Sequence, residues 1–413
     1  MVLAVPTLMA FTAAKIGRVE QSTGENEGKA TEVYKDHNLH IVFSVTLMAV
    51  LGTSSVTPAF PEVAQELGVS RGQVGLLITA FTIPGVLLTP VLGTLSDQFG
   101  RRKILIPSLI LFGIAGGACA LARDFDLLLV LRALQGAGAA SLGAMNVTLI
   151  GDLYSGQVRT AALGYNSGVL NIGTASYPAI GGALAMFGWH YPFALPFVAI
   201  PIALLVLFSL RNPEPENEQD LKEYVGSVWK HIKSKQVIGL LANTLVIFVV
   251  LFGPLITYLP ILMYSSFGAR PLVTGAGVAS ASLTTALVSA LEGWLTSYFS
   301  ENTLIRASFI FYVLAMGLVP FMPSVWLLLV PMAIFGVAQG LNLPDAFSLL
   351  TASAPQENRG AFMSINSTVL RLGQSLGPPL MAAAALPLGL SGAYFAAAAL
   401  ATAMLFVALA VIR

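Results

Sequence analysis

The sequence predicts an all-α membrane protein with twelve transmembrane helices in two pseudo-symmetric six-helix bundles. Three observations indicate this fold class: the composition, the spacing of long apolar segments, and a repeat that relates the two halves of the chain. The 413-residue chain is 56% hydrophobic and only 10% charged, whereas soluble domains carry about 25% charged residues. Its mean hydropathy of +0.79 is typical of an integral membrane protein.

Twelve apolar segments each approach the ~20 residues that a transmembrane helix needs. One long polar stretch, from Arg211 to Lys235, divides them into two sets of six. The first six lie near 40–60, 73–96, 103–122, 126–150, 159–186 and 190–210. The second six lie near 236–263, 272–298, 304–322, 325–350, 359–386 and 390–412.

The polar segments give the expected domain organisation. The chain starts with an apolar stretch too short to span a bilayer, followed by polar residues up to position 38. We therefore expect a disordered cytoplasmic tail at 1–38 and a cytoplasmic linker at 212–235. The two bundles then occupy 39–211 and 236–413.

Positive charges predict the orientation in the membrane. With both chain ends in the cytoplasm, the cytoplasmic segments hold 16 of the 21 Lys and Arg residues. The outer loops hold Arg71, Arg123 and Arg270, and Arg132 and Arg371 fall inside spans. Because cytoplasmic loops carry the excess of Lys and Arg, this placement favours the cell (inner) membrane with both termini inside.

The two halves repeat at a constant offset of 200 residues. Identities relate residues 159–178 to residues 359–378, which indicates a duplication. The identical pairs include Arg159 and Arg359, Asn166 and Asn366, Ser167 and Ser367, Val169 and Val369, Leu170 and Leu370, Gly173 and Gly373, and Pro178 and Pro378. Duplicated six-helix halves are typical of transporters that rock around a central site.

A short charged hairpin, residues 93–103, separates the second and third segments. It combines two glycines, one acid and three consecutive cations. The pattern resembles the signature loop of the major facilitator superfamily, and the resemblance extends over about residues 39–413. It implies that the loop acts as a conformational gate. The residues expected to form this gate are Gly93, Asp97, Gly100, Arg101 and Arg102.

The fourth segment carries Arg132 and Gln135 three residues apart on one helical face. With Gly136 and Gly138, they resemble the fourth-helix motif of the same superfamily, which implies that Arg132 takes part in proton coupling. The alternative is a structural arginine that bonds to the ends of neighbouring helices. Either role requires partners inside the bundle, because an unpaired cation in hydrocarbon costs several kcal/mol.

The fifth and eleventh segments carry glycines and prolines that allow close helix packing. The fifth resembles the motif of the antiporters in the superfamily, except that Tyr177 stands where the motif has a glycine before the proline. The motif favours export over import, and ordinary helix packing is the alternative. The packing residues are Gly173, Pro178, Gly182, Gly373, Gly377 and Pro378.

Acids and amides inside the second half mark candidates for proton and substrate binding. Asp345 and Glu292 are the acids placed inside spans, and either could carry a proton or neutralise an arginine. Arg371 lies about 18 Å into its segment, near the depth of a substrate site. The remaining residues expected at the substrate cavity are Asn146, Asn243, Tyr258, Gln339, Asn342 and Gln374.

The first segment lacks the acid that many drug:proton antiporters carry there. It offers Thr53, Ser54 and Ser55 instead, which makes neutral or anionic solutes better candidates than cations. Four scattered histidines give no metal-ligand spacing. The chain also lacks a phosphate-binding loop with lysine, so we expect neither a metal nor another cofactor.

The resemblance is strongest to the twelve-helix drug:proton antiporters. It implies a monomeric, proton-coupled antiporter that exports small drug-like molecules or metabolites and is not an enzyme. A proton-coupled sugar or organic-anion transporter of the same fold is the alternative. A channel is disfavoured because the sequence shows no pore loop or charge ring. The near-neutral net charge of +1 argues against nucleic acid as a partner.

Overall fold

The structure is a computed structural model that describes residues 32–210, 234–353 and 359–412, without the side chains of Asp97 and of residues 359–361. Most of the predicted tail and linker therefore lie outside the described residues. The first helix begins at His37, within the predicted tail, and is preceded by a 3₁₀ turn over Val33–Lys35. The Asp36 carboxylate accepts a hydrogen bond from the Asn38 amide at 2.8 Å and caps this helix.

Six long helices form the N-terminal half. They are α1 (His37–Ser54), α2 (Leu76–Phe99), α3 (Arg101–Ala118), α4 (Phe125–Leu153), α5 (Gly156–Ala185) and α6 (Ala199–Ser209). Shorter helices extend three of them. Phe60–Glu66 continues the path of α1, Arg71–Val74 leads into α2, and His190–Ala194 leads into α6.

Six further long helices form the C-terminal half. They are α7 (Lys235–Val250), α8 (Pro271–Ala290), α9 (Glu301–Leu318), α10 (Leu329–Ser353), α11 (Arg359–Leu388) and α12 (Leu390–Val411). A π-helix, Leu251–Tyr258, and a short helix, Leu259–Phe267, continue α7. Pro254 lies in the π-helix and lacks the amide hydrogen that a regular α-helix requires. The wider turn of the π-helix accommodates this proline.

Nine helical segments of the described chain are long and apolar enough to cross a membrane. The long helices α5, α10 and α11 are less apolar, because glycine and polar residues replace aliphatic ones along them. Small and polar residues are typical of helices that face other helices rather than lipid. All twelve long helices therefore fit the two-bundle membrane fold.

The two halves use the same helix pairings, which confirms the predicted repeat. Within the N-terminal half α2 and α3 pack on α4, and α1 packs on α5; the C-terminal half pairs α8 and α9 with α10, and α7 with α11. Corresponding hydrogen bonds accompany these pairings. Thr46 Oγ1 bonds to Asn166 Oδ1 at 2.6 Å, and Thr244 Oγ1 bonds to Asn366 Oδ1 at 2.8 Å.

The halves meet along two antiparallel helix pairs, α5 with α8 and α2 with α11. Their contact surface is called the seam below. At one end the backbones touch, because Gly182 packs against the Pro271 carbonyl and Gly275 against the Pro178 carbonyl. Side chains larger than hydrogen at these glycines would force the halves apart.

The seam opens toward the other end of the bundles. Farther along α5, Gly168 and Gly164 face open space, and Gly93 near the end of α2 does the same. By contrast, Gly75 at the start of the α2 path packs against Pro378 of α11. The closed end carries the turn at Gly268, and the open end carries the turn at Gly100.

Candidate transport pathway

Side-chain hydroxyls of α2 and α11 hold the seam together. Thr79 Oγ1 donates to the Ser375 carbonyl at 3.0 Å, and the hydroxyls of Ser375 and Thr82 lie 2.8 Å apart. Nearer the closed end, Tyr264 Oη donates to Gln65 Oε1 at 2.9 Å. These hydroxyl contacts are neutral, so breaking them leaves no unpaired charge on either half.

Arg371 crosses the seam from the middle of α11. Its Nη2 donates to the carbonyls of Ala139 and Ala140 on α4, both at 3.3 Å. Gly85 of α2 leaves room for the guanidinium, because a Cβ there would lie 2.9 Å from Arg371 Cδ. Gly143 of α4 lies near the other terminal nitrogen, where a Cβ would be 3.8 Å from Nη2. Arg371 therefore lies at the boundary between the halves.

Arg132 lies inside the N-terminal bundle and is 0% exposed. Its Nη1 donates to the Gly52 carbonyl and to Gln135 Oε1, each at 2.7 Å, and its Nε donates to the Leu77 carbonyl at 3.2 Å. The Phe81 ring lies 4.4 Å from the guanidinium carbon. This geometry fits the structural alternative, and a role in proton coupling stays a prediction.

Several amides predicted at the substrate cavity bond to each other inside the C-terminal bundle. Asn243 and Asn342 form a reciprocal amide pair at 2.8 and 3.1 Å, and Asn342 also donates to Ser308 Oγ at 2.7 Å. Gln339 accepts a hydrogen bond from the Tyr312 hydroxyl. Because these groups are buried and mutually satisfied, they stabilise the packing of α7, α9 and α10 rather than line the seam.

The other three cavity candidates lie elsewhere. Asn146 is buried on α4, and its Oδ1 has no hydrogen-bond partner among the described residues. Tyr258 is buried in the π-helix near Gly72, at the closed end of the seam. Gln374 is half-buried and follows Arg371 by three residues, so it shares the same face of α11. Of the predicted cavity residues, Arg371 thus bonds to the other half across the seam, and Gln374 lies one turn from it on the same helix.

Two acids meet at the open end of the C-terminal bundle. The Asp345 carboxyl on α10 lies within hydrogen-bonding reach of the Glu292 carboxyl, which follows α8. Asp345 is 2% exposed, and neither its Oδ2 nor the Glu292 oxygens receive a hydrogen bond from the described residues. Two adjacent carboxylates repel each other, and one proton shared between them would remove this repulsion. Glu301 is close by, with its carboxylate bonded to Ser348 Oγ at 2.6 Å.

The predicted gate loop is anchored to its own half. Gly100 has a φ of 97°, a conformation that favours glycine and turns the chain between α2 and α3. Arg101 Nε bonds to Asp152 Oδ2 at 3.0 Å, and its Nη1 bonds to Ser96 Oγ at 2.8 Å. Arg102 donates to the Leu207 carbonyl at the end of α6. These bonds stiffen the open end of the N-terminal bundle.

The predicted packing residues lie at helix contacts. Gly173 packs against Leu47 and Val50 of α1, and Gly373 packs against the Leu245 carbonyl of α7. Gly377 faces the backbone of Gly253 in the π-helix. With Gly182, Pro178 and Pro378 in the seam, these residues set how closely the helices approach.

Sequence reasoning missed the hydroxyl contacts and the two glycines beside Arg371. Thr79, Thr82 and Ser375 bring α2 and α11 together, and Gly85 and Gly143 flank the guanidinium. The one available signal is that Ser375 follows Arg371 by four residues, which places both on one face of α11. Hydroxyls and glycines are common in membrane helices, so their partners become visible only in three dimensions.

Comparison with known proteins agrees with this architecture. The sequence profile of the Major Facilitator Superfamily matches residues 42–276 and 255–413. The Bacillibactin exporter of Bacillus subtilis (strain 168) is 29% identical over 360 residues, which cover 84% of this chain and 89% of the exporter. The Quinolone resistance protein NorA of Staphylococcus aureus (strain MRSA252) is 25% identical over 348 residues, with 82% and 88% coverage.

A solved structure shares the fold. The bacterial homolog of the human lysosomal transporter Spinster, in an inward-facing and unoccupied conformation, superposes with a TM-score of 0.73 at 18% identity. The match covers 92% of this chain and 95% of that protein.

Proposed function

Because this chain belongs to the Major Facilitator Superfamily, we propose that it is a proton-coupled antiporter that exports small organic molecules by alternating access. The family makes the chain a multi-pass membrane transporter of small molecules rather than an enzyme. Export, proton coupling and antiport are the parts proposed here. The relatives that carry the names of an exporter and of a resistance protein support the direction.

The observation that carries the proposal is the asymmetry of the seam. The halves touch at one end through Gly75 and Gly182, and they separate toward the end of Gly93 and Gly164. When two rigid halves rock about such a seam, the open end closes and the closed end opens. A central site is then exposed to each side of the membrane in turn. The positive-inside rule orients the open end toward the cytoplasm, where an exporter takes up its substrate.

The carboxyl pair supports proton coupling. Asp345 and Glu292 lie at the open end, and repulsion between their carboxyl groups disfavours the state in which both are ionised. Loss of the shared proton would leave two adjacent carboxylates, whose repulsion favours a rearrangement of α8 against α10. A proton taken up or released here therefore changes the energy of one conformation relative to the other.

The helix register suggests how the open end closes. Gly85 of α2 touches Arg371 of α11. Asp97 lies 12 residues after Gly85 and Arg359 lies 12 residues before Arg371, so both positions are about 18 Å from that contact. Because the helices are antiparallel, closure would bring an acid and a base to the same depth. This agrees with the gating role expected of the charged hairpin.

Proton flux in everted membrane vesicles tests the coupling. A pH gradient is followed with a fluorescent dye while fluorescein, ethidium or tetramethylrhodamine methyl ester is added. We expect at least one of the three to dissipate the gradient in the wild type and to lose this effect in Asp345→Asn. Asp126→Asn, which changes an exposed acid at the start of α4, is the matched control.

Two results would contradict the coupling proposal. A gradient that none of the three compounds dissipates argues against proton antiport of such molecules. Flux that is unaltered in Asp345→Asn removes Asp345 from the mechanism.

A disulfide across the closed end tests alternating access. A Cβ built on Gly72 lies 3.6 Å from the Ala382 Cβ, within the range of about 3.5–4.5 Å for a disulfide. Oxidation of a Gly72→Cys, Ala382→Cys double variant, in a Cys119→Ala background, should stop transport, and a reductant should restore it. Each single cysteine variant serves as the control. Undiminished transport by the cross-linked protein would exclude a rocking mechanism.

A further inference from the structure

We propose that the substrate is an organic anion, and that the Arg371 guanidinium binds its negative group at the seam. The inference rests on the proposed export function and names the class of molecule that the site accepts. It depends on three features of the structure: free donors on Arg371, space next to them, and the lack of a carboxylate partner.

Arg371 has hydrogen-bond donors to spare. An arginine side chain carries five N–H groups in a rigid fork, and Arg371 uses those on Nη2 for two long contacts of 3.3 Å. Its Nε and Nη1 donate to no acceptor among the described residues, and they are not sealed from open space. A carboxylate, phenolate or phosphate fits such a fork with two parallel hydrogen bonds.

The surroundings leave room for a ligand. The Gly85 backbone packs against one side of the guanidinium, where a Cβ would overlap it. Gly143 on α4 is exposed and keeps the Nη2 side open. Gln374, one turn farther along α11, adds a neutral donor and acceptor on the same face. The site therefore offers charge and polar contacts without a side chain that blocks entry.

The charge of Arg371 is not neutralised by the protein. Among the described side chains, no carboxylate pairs with it, and the ion pairs Lys35–Glu32 and Arg101–Asp152 lie elsewhere, at helix ends. The acids Asp345 and Glu292 face each other at the open end of one bundle. An unpaired cation in a site of low dielectric constant attracts an anion strongly and repels a cation.

Arg132 does not compete for this role. It is fully buried, and its contacts to Gly52, Leu77 and Gln135 all stay within its own half. No substrate that enters the seam reaches it in this arrangement. The choice between anion and cation therefore depends on Arg371.

Equilibrium binding of two related dyes tests the inference. Fluorescein is an anion and tetramethylrhodamine methyl ester is a cation, and both have a xanthene ring system. Fluorescence polarisation with the purified protein in detergent should show tighter binding of fluorescein. Arg371→Gln should weaken fluorescein binding by about tenfold to 100-fold, the loss of a charged hydrogen-bond pair. Binding of the cation should stay the same or improve.

Further variants separate charge, geometry and folding. Arg371→Lys keeps the charge but not the fork, so we expect an intermediate affinity. Gly143→Leu keeps Arg371 and fills the space beside it, and it should also weaken fluorescein binding. Arg123→Gln, which removes an exposed arginine far from the seam, should leave both dyes unaffected. Size-exclusion profiles show whether each variant is folded.

Equal affinity for the two dyes in the wild type would overturn the inference. So would an unchanged fluorescein affinity in a folded Arg371→Gln variant. The binding assay uses no pH gradient, so the measured dye affinities do not depend on whether transport is coupled to protons. Conversely, coupling could hold in a protein that binds both dyes equally.

Discussion

The interior of the N-terminal bundle and the seam between the bundles each contain a buried arginine, and the two arginines are held differently. Arg132 makes contacts of 2.7 Å to groups of its own half and stacks near Phe81. Arg371 reaches the other half through contacts of 3.3 Å that share one nitrogen. The comparison shows that depth in the membrane does not decide what a buried cation does. What decides it is whether its partners move with it.

A rocking transporter must keep the first kind of contact and exchange the second. Bonds within one bundle persist through the cycle, so they can be short and numerous without slowing transport. Bonds across the seam break once in each cycle, so strong ones would trap one conformation. Variants in the two regions should therefore have different phenotypes. Variants inside the bundle should lose stability, and variants at the seam should lose transport.

Replacement of the two arginines by methionine should show the largest difference. Arg132→Met leaves Gln135 and two backbone carbonyls without their donor, so we expect a loss of about 3–5 kcal/mol in stability and little folded protein. Arg371→Met should fold normally and lose substrate binding. Thermal unfolding in detergent, followed by fluorescence-detected size exclusion, measures the stability of both variants, and fluorescein polarisation measures binding. A stable Arg132→Met variant that has lost only proton flux would instead establish the coupling role.

Glycine substitutions should give a smaller effect of the same kind. Gly136 on α4 packs against the Phe81 carbonyl, and a Cβ there would overlap this atom. Gly136→Ala should cost about 1–3 kcal/mol through overpacking. Gly143→Ala adds a methyl group at an ordinary contact distance of 3.8 Å and should leave the melting temperature unchanged. Equal destabilisation by the two changes would remove the distinction between bundle and seam.

The sequence could predict the elements that depend on local composition. The predicted segment 236–263 corresponds to the helical path Lys235–Phe267, and the offset of 200 residues reappears as equivalent bonds at Asn166 and Asn366. Hydropathy and the internal repeat are visible in the sequence itself, so their prediction needs no structure. Membership of the superfamily followed from the same local patterns.

The sequence could not predict which polar side chains pair with each other. Asn243 and Asn342 are 99 positions apart, and their amides bond to each other rather than to a ligand. Likewise, the main acceptors of Arg132 and Arg371 include backbone carbonyls, which every residue has. Helix rotation and register decide such contacts, and one sequence without its relatives does not record them.

The smallest effect should come from Ser375, whose hydroxyl lies 2.8 Å from that of Thr82 across the seam. Ser375→Ala removes this contact across the seam. Within the bundles it removes only the bond from Ser375 Oγ to the carbonyl of Arg371. A neutral hydrogen bond contributes about 1 kcal/mol, so this conformation, open at the Gly100 end, should lose about fivefold in population relative to the one open at the opposite end. The rate of oxidative disulfide formation between Gly72→Cys and Ala382→Cys, in the Cys119→Ala background, reports this shift, because the two cysteines meet only while the Gly72 end of the seam is closed. Thr402→Ala on α12 removes a hydroxyl that bonds within its own helix and should leave the rate of disulfide formation unchanged. A shift in that control as large as the one in Ser375→Ala would mean that the seam hydroxyls do not set the balance between the two conformations.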